Sequence, residues 1–386
     1  MKKINVAMTA SIGEEYQTIW GSGITQNILF LYQLFSKSDF VENIYILDLI
    51  QDPSQNYLDR KIGENTYKFI NKEEAANKID VIIEIGTQLW TELAHQIKQR
   101  GGKIVSMRCG NAYIDEVMGV FQDRPPLIPI NNVTYDELWV LPHYGKNSAP
   151  MLQTLYRCPT KVVNYIWEPE FIELAASRLN TDYHYNPASN NDKPIARKIA
   201  ICEPNLNPTK TFHIPLLICE EAYRNYPDYI RHVYAMNTWR LNSNPSLLHF
   251  VNRLDIFKNK ACSFESRLDI VSTMTQTANV LVSHHWQNGM NNLYFDILYG
   301  GYPLIHNSEF MKDYGYYYED FNAQAGAKQL INAIENHDNN LDNYRKHHHQ
   351  LFQDYSLHNP KNIQHYTDLL QGVYFKNEAQ KVPELI

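Results

Sequence analysis

No stretch of the 386 residues comes near the run of about 18 apolar residues that a membrane span needs, so a spanning protein is not expected. No block of Lys or Arg is long enough to neutralise a row of phosphates, and the formal net charge is -7, which removes nucleic acid from the expected partners. The five cysteines, Cys109, Cys158, Cys202, Cys219 and Cys262, are odd in number and form no CxxC pair. That argues against a disulfide frame and a zinc site and for a reducing compartment. The opening MKKINVAMTA has an apolar part of only about five residues, interrupted by Asn5 and below the h-region of a signal peptide, so a cytoplasmic protein starting at Met1 is expected. No internal repeat of fixed period occurs.

What is present is an ordinary globular composition, 44% hydrophobic and 20% charged, over a length that exceeds one typical core. Two domains with a cleft between them are expected, and clefts are where small-molecule sites form. Residues 3–10 read as a buried strand. A loop ending in Gly21, Ser22 and Gly23 follows, then Ile24, Ile28, Leu31, Leu34 and Phe35 as an apolar run of helical period. Strand, glycine loop and helix open a doubly wound sheet. Strands at 44–49, 81–85, 104–107, 138–141 and 162–166 would complete a mostly parallel sheet in a first domain of residues 1–175. Residues 176–196 lose periodicity and fill with Asn, Asp, Ser and Pro, the composition of a linker. A second α/β series over 197–340 has strands at 198–202 and 230–234, a helix at 214–226, and a late surface helix carrying Ala327, Leu330, Ile331 and Ile334. Residues 341–386 read as further helices that pack back on the first domain.

The densest run of signals is 280–307, VLVSHHWQNGMNNLYFDILYGGYPLIHN. A short buried strand at 280–282 leads to a polar loop at 283–292. That loop contains Gly289, which lets backbone N–H groups approach an anion. A helix starting at Asn291 or Asn292 turns its positive end toward the loop, so a diphosphate fits there. Gly300, Gly301 and Pro303 end the helix before a strand at 304–305. On these features alone the segment is equally an ordinary βαβ unit.

The same residues resemble the donor-site motif of GT-B glycosyltransferases of the retaining glycosyltransferase 4-like group. In that motif a carboxylate-Gly pair opens the loop, a second acidic residue follows eight positions on, and Gly, any residue and Pro close it. Here Asn288-Gly289, Asp296 and Gly301-Tyr302-Pro303 take those positions, with Asn288 departing from the carboxylate. The resemblance implies an α/β fold of two Rossmann-like domains facing each other across a cleft. It also implies that Asp296 accepts hydrogen bonds from a ribose and that Asn288 lies near the donor sugar. The segment IAICEPNLNPTKTFHIPLLICEEAY is similar to the strand, loop and helix that carry a diphosphate-binding basic residue. This puts Lys210 on the diphosphate, with Asn205 in the same loop. SFESRLDIVSTMTQTANVLVS resembles the helix and strand before the donor loop. Gly21, Ser22 and Gly23 resemble the glycine loop under the donor phosphates, and Arg108 a catalytic-site polar residue. Trp20, Gly23, Ile24, Gln26 and Asn27, with the later GGYPLIHN, resemble a bacterial family within that group.

The donor-binding candidates are therefore Gly21, Ser22, Gly23, Asn205, Lys210, His284, Asn288, Gly289, Asn291, Asn292 and Asp296. The catalytic candidates are His285, Arg108 and His143, with Glu14 and Glu15 as rival bases, because inversion needs a group that takes the acceptor proton. Arg108 and Asn111 are expected to face the cleft, and Trp286 offers a ring for a nucleobase or sugar. His347, His348 and His349 would spread over about 200° of a helix and cannot converge on one ion. No metal, and no cofactor beyond the nucleotide-sugar substrate, is expected. The reading is metal-independent transfer from a nucleotide sugar to a glycan or lipid-linked acceptor, by resemblance a bacterial surface glycan, with peripheral contact at the inner membrane face through that acceptor. A nucleotide-sugar epimerase of the same fold and a non-catalytic nucleotide-sugar-binding protein are the alternatives. The oligomeric state is not legible in the sequence.

Overall fold

The computed structural model describes residues 2–10, 23–49, 59–126, 131–187 and 196–376. Glu14, Glu15, Trp20, Gly21 and Ser22 lie outside the described residues. The chain divides into two compact units, residues 1–171 with 353–386, and residues 172–352.

In chain order the first unit holds β1 (Ile4–Ala10), β2 (Val41–Asp48), the short antiparallel hairpin β3 (Arg60–Ile62) and β4 (Asn65–Tyr67), β5 (Val81–Glu84), β6 (Lys103–Arg108), β7 (Glu137–Val140) and β8 (Thr160–Val162). Six of these form one sheet in the order β2-β1-β5-β6-β7-β8, and every pairing in it is parallel. β5 and β7 are buried along their whole length, as a sheet covered on both faces requires. The helix Gly23–Ser36 buries Ile28, Leu31, Leu34 and Phe35 of the expected stripe against the sheet, while Ile24, in its first turn, is exposed.

One strand differs from expectation. The run 162–166 is β-branched, but the strand ends at Val162 and pairs only with β7. The N–H of Val163 still donates to the carbonyl of Val140 at 2.9 Å; beyond it the chain leaves the ladder, with the N–H of Trp167 donating to the carbonyl of Tyr355 at 3.0 Å and Ile166 and Trp167 buried by packing.

The second unit holds β9 (Arg197–Ile201), β10 (Ile230–Ala235), β11 (Cys262–Phe264), β12 (Val280–Val282), β13 (Leu304–His306) and β14 (Tyr316–Tyr317), in the order β11-β10-β9-β12-β13-β14. All pairings are again parallel. The segment from Ser263, expected as helix then strand, opens instead in β11, whose Ser263 and Phe264 pair with Tyr234 and Ala235, and its helical part begins only at Ile270. A single helical turn, Ile270–Ser272, then passes into a π-helical stretch, Thr273–Thr277.

The chain passes from the first unit to the second within the helix Glu170–Arg178, so residues 176–178 of the expected linker are helical. It returns within another helix. Ala323–Tyr355 is one helix of 33 residues that runs through ENHDNNLDN, where a domain end at residue 340 and separate helices beyond it were expected. No Gly or Pro interrupts that segment, and His337, Leu341, Tyr344 and His348 continue its buried stripe, so packing overrides weak local propensity. The last helix, Pro360–Tyr374, lies in the first unit, where Tyr366 packs edge-on against Phe35 and Trp139.

The long helix brings buried imidazoles together. His337 Nε2 donates to the carbonyl of Gly301 at 2.9 Å, and its Nδ1 lies 3.0 Å from the Tyr316 hydroxyl. His348 Nε2 accepts from the N–H of Gly315 at 3.2 Å. On β13, His306 donates from Nε2 to the carbonyl of Tyr314 and accepts at Nδ1 from the N–H of Ser308. Gly301 is at φ 73, the left-handed conformation that ends the preceding helix and presents its carbonyl to His337. Burial lowers the pKa of His306 and His337 to about 4 and of His348 to about 3, the last aided by the neighbouring histidines. All three are neutral in the fold, but the unfolded chain protonates them near the ordinary value of about 6.5. The unfolded state thus binds more protons below that value, and stability is lost as pH falls through the window. The expected outcome is a melting temperature that falls steadily from pH 7 to pH 5, at roughly 1 kcal/mol per histidine by about pH 5.5. A flat profile by calorimetry would show that these imidazoles are already charged or solvated.

Candidate functional site

β9 is the first strand of the second sheet. The chain builds outward from it through β10 and β11 on one side, then crosses to its other side with β12. The crevice beyond the carboxyl ends of β9 and β12 is therefore the topological switch point, the place where open α/β sheets take ligands. Two loops rise there, one after each strand.

Glu203, two residues past β9, is 0% exposed. It accepts from the Ser283 hydroxyl and, at 3.1 Å, from the N–H of His284, so it ties one loop to the other. Its Oε2 has no hydrogen-bond partner among the described residues and lies 3.9 Å from Lys210 Nζ. Lys210 is also buried, with its ammonium 5.6 Å from the ring centre of Tyr294. Burial pushes the Glu203 carboxyl up, while Lys210 and then the hydrogen bonds from Ser283 and His284 act in the opposite direction. A lysine held this dry, with its carboxylate beyond hydrogen-bonding distance, keeps charge available for a further anion.

The β9 loop closes on itself. Asn205, at φ 56, accepts from the N–H of Phe212 at 2.8 Å and donates to the carbonyl of Glu203 at 2.8 Å, so its side chain is spent on loop shape. The N–H of Trp286 reaches across to the carbonyl of Thr209.

The β12 loop is held from β13. Asn307 accepts from the N–H of His285 and donates to its carbonyl, both at 2.9 Å, and also donates to the carbonyl of Asp320. The Ser308 hydroxyl donates to the carbonyl of Gly289. A Cβ on Gly289 would lie 2.8 Å from the Phe310 ring and 3.2 Å from His285, so the glycine serves packing as well as any ligand. With the N–H groups of His284, His285, Trp286 and Asn288 bonded within the protein, those of Gly289 and Met290 are left without a partner among the described residues.

His284 is buried, and burial holds its pKa down at about 4. Its Nδ1 lies 3.0 Å from the Tyr318 hydroxyl, which itself donates to the carbonyl of Ser283, so Nδ1 carries the hydrogen. Nε2 is then a buried acceptor without a partner among the described residues. His285 Nδ1 accepts from the N–H of Asn288 at 3.2 Å, and its Nε2 lies 3.6 Å from the exposed carboxylate of Glu309. Asn291 caps the helix Asn292–Tyr299 by accepting from the N–H of Tyr294, and Asn292 is buried in its first turn. Asp296 stands half-buried further along that helix, near the Tyr183 hydroxyl, whose ionisation is opposed first by burial and then by Asp296.

The structure thus gathers Lys210, His284, His285, Asn288, Gly289 and Asn291 at one crevice, with Asn205 as a loop brace. Arg108 and His143 belong to the first unit. Arg108 is buried 3.4 Å from Glu84, with a Tyr156 contact at 3.5 Å, and His143 is buried in a 3₁₀ turn with its ring 3.9 Å from that of Tyr144. Asn111 caps the helix Ala112–Phe121, and Gly23 is the exposed first residue of its helix. Sequence reasoning missed Glu203, Asn307, Ser308 and Tyr318. Only Glu203 left a signal, a lone carboxylate directly after a buried strand. Among the described residues no group of three or more His, Cys, Asp or Glu is placed to hold a metal ion, and no helix is long and apolar enough to cross a membrane.

Comparison with solved structures finds the same fold at low sequence identity. Trehalose-6-phosphate synthase OtsA matches with a TM-score of 0.59 and 12% identity, covering 98% of this chain and 100% of that one. The pneumococcal O-GlcNAc transferase GtfA, solved with UDP and GlcNAc, matches at 0.52 and 9%, covering 97% and 100%. Anabaena HepE, solved with UDP-glucose, matches at 0.51 and 12%, covering 95% and 100%. The fold is GT-B, with two Rossmann-like units. Comparison with curated proteins gives no match. The chain belongs to the family described as protein of unknown function DUF2827, whose model matches residues 6–370.

The brace between β13 and the β12 loop is directly testable. Asn307→Ala strands the buried N–H and carbonyl of His285, and the expected loss is about 2 kcal/mol of unfolding free energy in urea. A change near zero would show that the loop does not depend on Asn307.

Proposed function

We propose that this DUF2827 protein is a glycosyltransferase that draws its sugar from a nucleotide-sugar donor bound at the β9/β12 crevice. The observation that carries the reading is Lys210, a buried ammonium at the switch point, beside a loop whose Gly289 and Met290 N–H groups are unspent. Transfer requires charge to be stabilised on a departing nucleoside diphosphate. A fixed ammonium and backbone N–H groups in a dry site do this without reorganising. Lys210 then takes the role a metal would otherwise fill.

Support also comes from proteins of the same fold. GtfA is an O-GlcNAc transferase solved with UDP, and HepE is solved with UDP-glucose. In this reading Asp296 accepts from the ribose and Asn288 contacts the sugar, with His285, His143 and Arg108 as the catalytic candidates; His285 can take a proton from an incoming hydroxyl only at Nδ1, once the Asn288 N–H at 3.2 Å gives way. The acceptor is a glycan or lipid-linked intermediate of a bacterial surface polymer, met at the inner face of the membrane.

The test is incubation with UDP-, GDP-, CMP- and dTDP-sugars. Slow donor turnover, accelerated by an acceptor, is expected; binding without turnover would make the protein a binding module. Lys210→Ala should weaken donor binding by roughly 1.5–3 kcal/mol, the range for hydrogen bonds to charged groups. Unchanged affinity in a folded variant removes Lys210 from the site. Asp296→Asn should lower nucleoside affinity with the fold intact, and normal binding of free nucleotide by that variant would end the ribose assignment.

A further inference from the structure

We propose that Glu203 makes donor binding proton-linked: as a diphosphate takes over Lys210, Glu203 loses its countercharge and takes up a proton from solvent. The inference rests on the assignment of Lys210 to the diphosphate.

Glu203 is fully buried, and among the described residues its only cationic neighbour is Lys210 at 3.9 Å. The other titratable groups facing it are Cys202 beside it, His284 on the β12 loop, Tyr294 on the following helix, and Tyr318 after β14. None of these supplies positive charge. Cys202 and the two tyrosines are held in their neutral forms by burial, and His284 is kept neutral with its proton on Nδ1. Two of the hydrogen bonds to Glu203, from Ser283 and the His284 N–H, reach the same oxygen, Oε1. Oε2 faces Lys210 without a hydrogen bond, so it is the oxygen free to carry the incoming proton.

A diphosphate brings two negative charges to the same ammonium. Like charges sharing a dry site raise the pKa of the weaker acid, here the carboxyl, because the phosphodiesters of a sugar nucleotide stay ionised near neutrality. Protonated Glu203 keeps its bonds from Ser283 and His284 and ceases to repel the ligand. Glu203 is therefore a positioning residue that also sets the charge the site presents.

The test is calorimetry with the tightest-binding diphosphate-linked sugar nucleotide of the panel above, in phosphate and in Tris. Wild type should take up close to one proton, seen as a buffer-dependent heat, and its affinity should rise up to tenfold per unit as pH falls from 8 to 7. Glu203→Gln keeps the shape and the acceptor oxygen while removing the charge. It should bind about tenfold tighter than wild type at pH 8, with no uptake and a flat pH profile. Glu203→Ala, which loses the loop tie, should instead bind more weakly. If no sugar nucleotide binds, or if Lys210→Ala binds normally, the functional reading falls and takes this inference with it. If wild type binds through Lys210 but the heat is independent of buffer, or if Glu203→Gln still takes up a proton, which would then go to His284, only the role of Glu203 is overturned.

Discussion

The buried pair of Glu203 and Lys210 is the constraint on which the second unit's crevice depends. Removing two charges from water costs several kcal/mol per ion, and a pair at 3.9 Å recovers that only when other bonds satisfy the remaining lone pairs. Those bonds come from Ser283 and His284, on a loop that follows a different strand. The pair can therefore exist only because β9 and β12, about eighty residues apart in sequence, are neighbours in the sheet. Much of the surrounding architecture keeps that loop in register. Asn307 grips both backbone groups of His285, Ser308 takes the carbonyl of Gly289, and the Trp286 N–H closes onto Thr209.

What was legible in the sequence follows from which forces act locally. Buried parallel strands are continuous apolar runs, and β1, β5, β6, β7, β9 and β12 could be read as such. β11 and β14 could not, since CSF and YY carry no period and are strands only because β10 and β13 offer an edge. The long helix was read as a helix up to about residue 340 followed by further helices, yet its buried stripe runs straight through the Asn- and Asp-rich stretch between them. Local chemistry singled out the 283–292 loop, and resemblance singled out Lys210. Both missed the residues that make them a site, because Asn307 and Ser308 act from across the sheet and nothing adjacent in the chain marks them.

Gly289 shows how one residue can satisfy two explanations. A glycine in a loop before a helix suggests close approach to a phosphate, and the N–H groups of Gly289 and Met290 are available for that. Its missing side chain also leaves the space into which Phe310 and His285 pack. The two roles are compatible, since packing acts on the Cβ side and the ligand would meet the N–H, but the glycine alone is weaker evidence for a ligand than its place in the motif suggests. Asn205 is a clearer case: it shares a loop with Lys210, yet both ends of its amide are committed to the loop.

The chain carries a formal net charge of -7, and the donor proposed for it is an anion. These are reconciled by distance. Charges spread over the surface are screened beyond a Debye length of about 8 Å at physiological salt, so the net charge says little about what a buried crevice holds. Within the crevice the dielectric is low and screening is weak, and the local balance of one ammonium against one carboxylate decides the affinity. That balance is close to neutral while Glu203 is ionised and becomes positive once Glu203 is neutral. In the proposed role, the carboxylate that holds the two loops together is also the group whose charge changes when an anion binds, so organisation and affinity at this site would be set by the same atom pair.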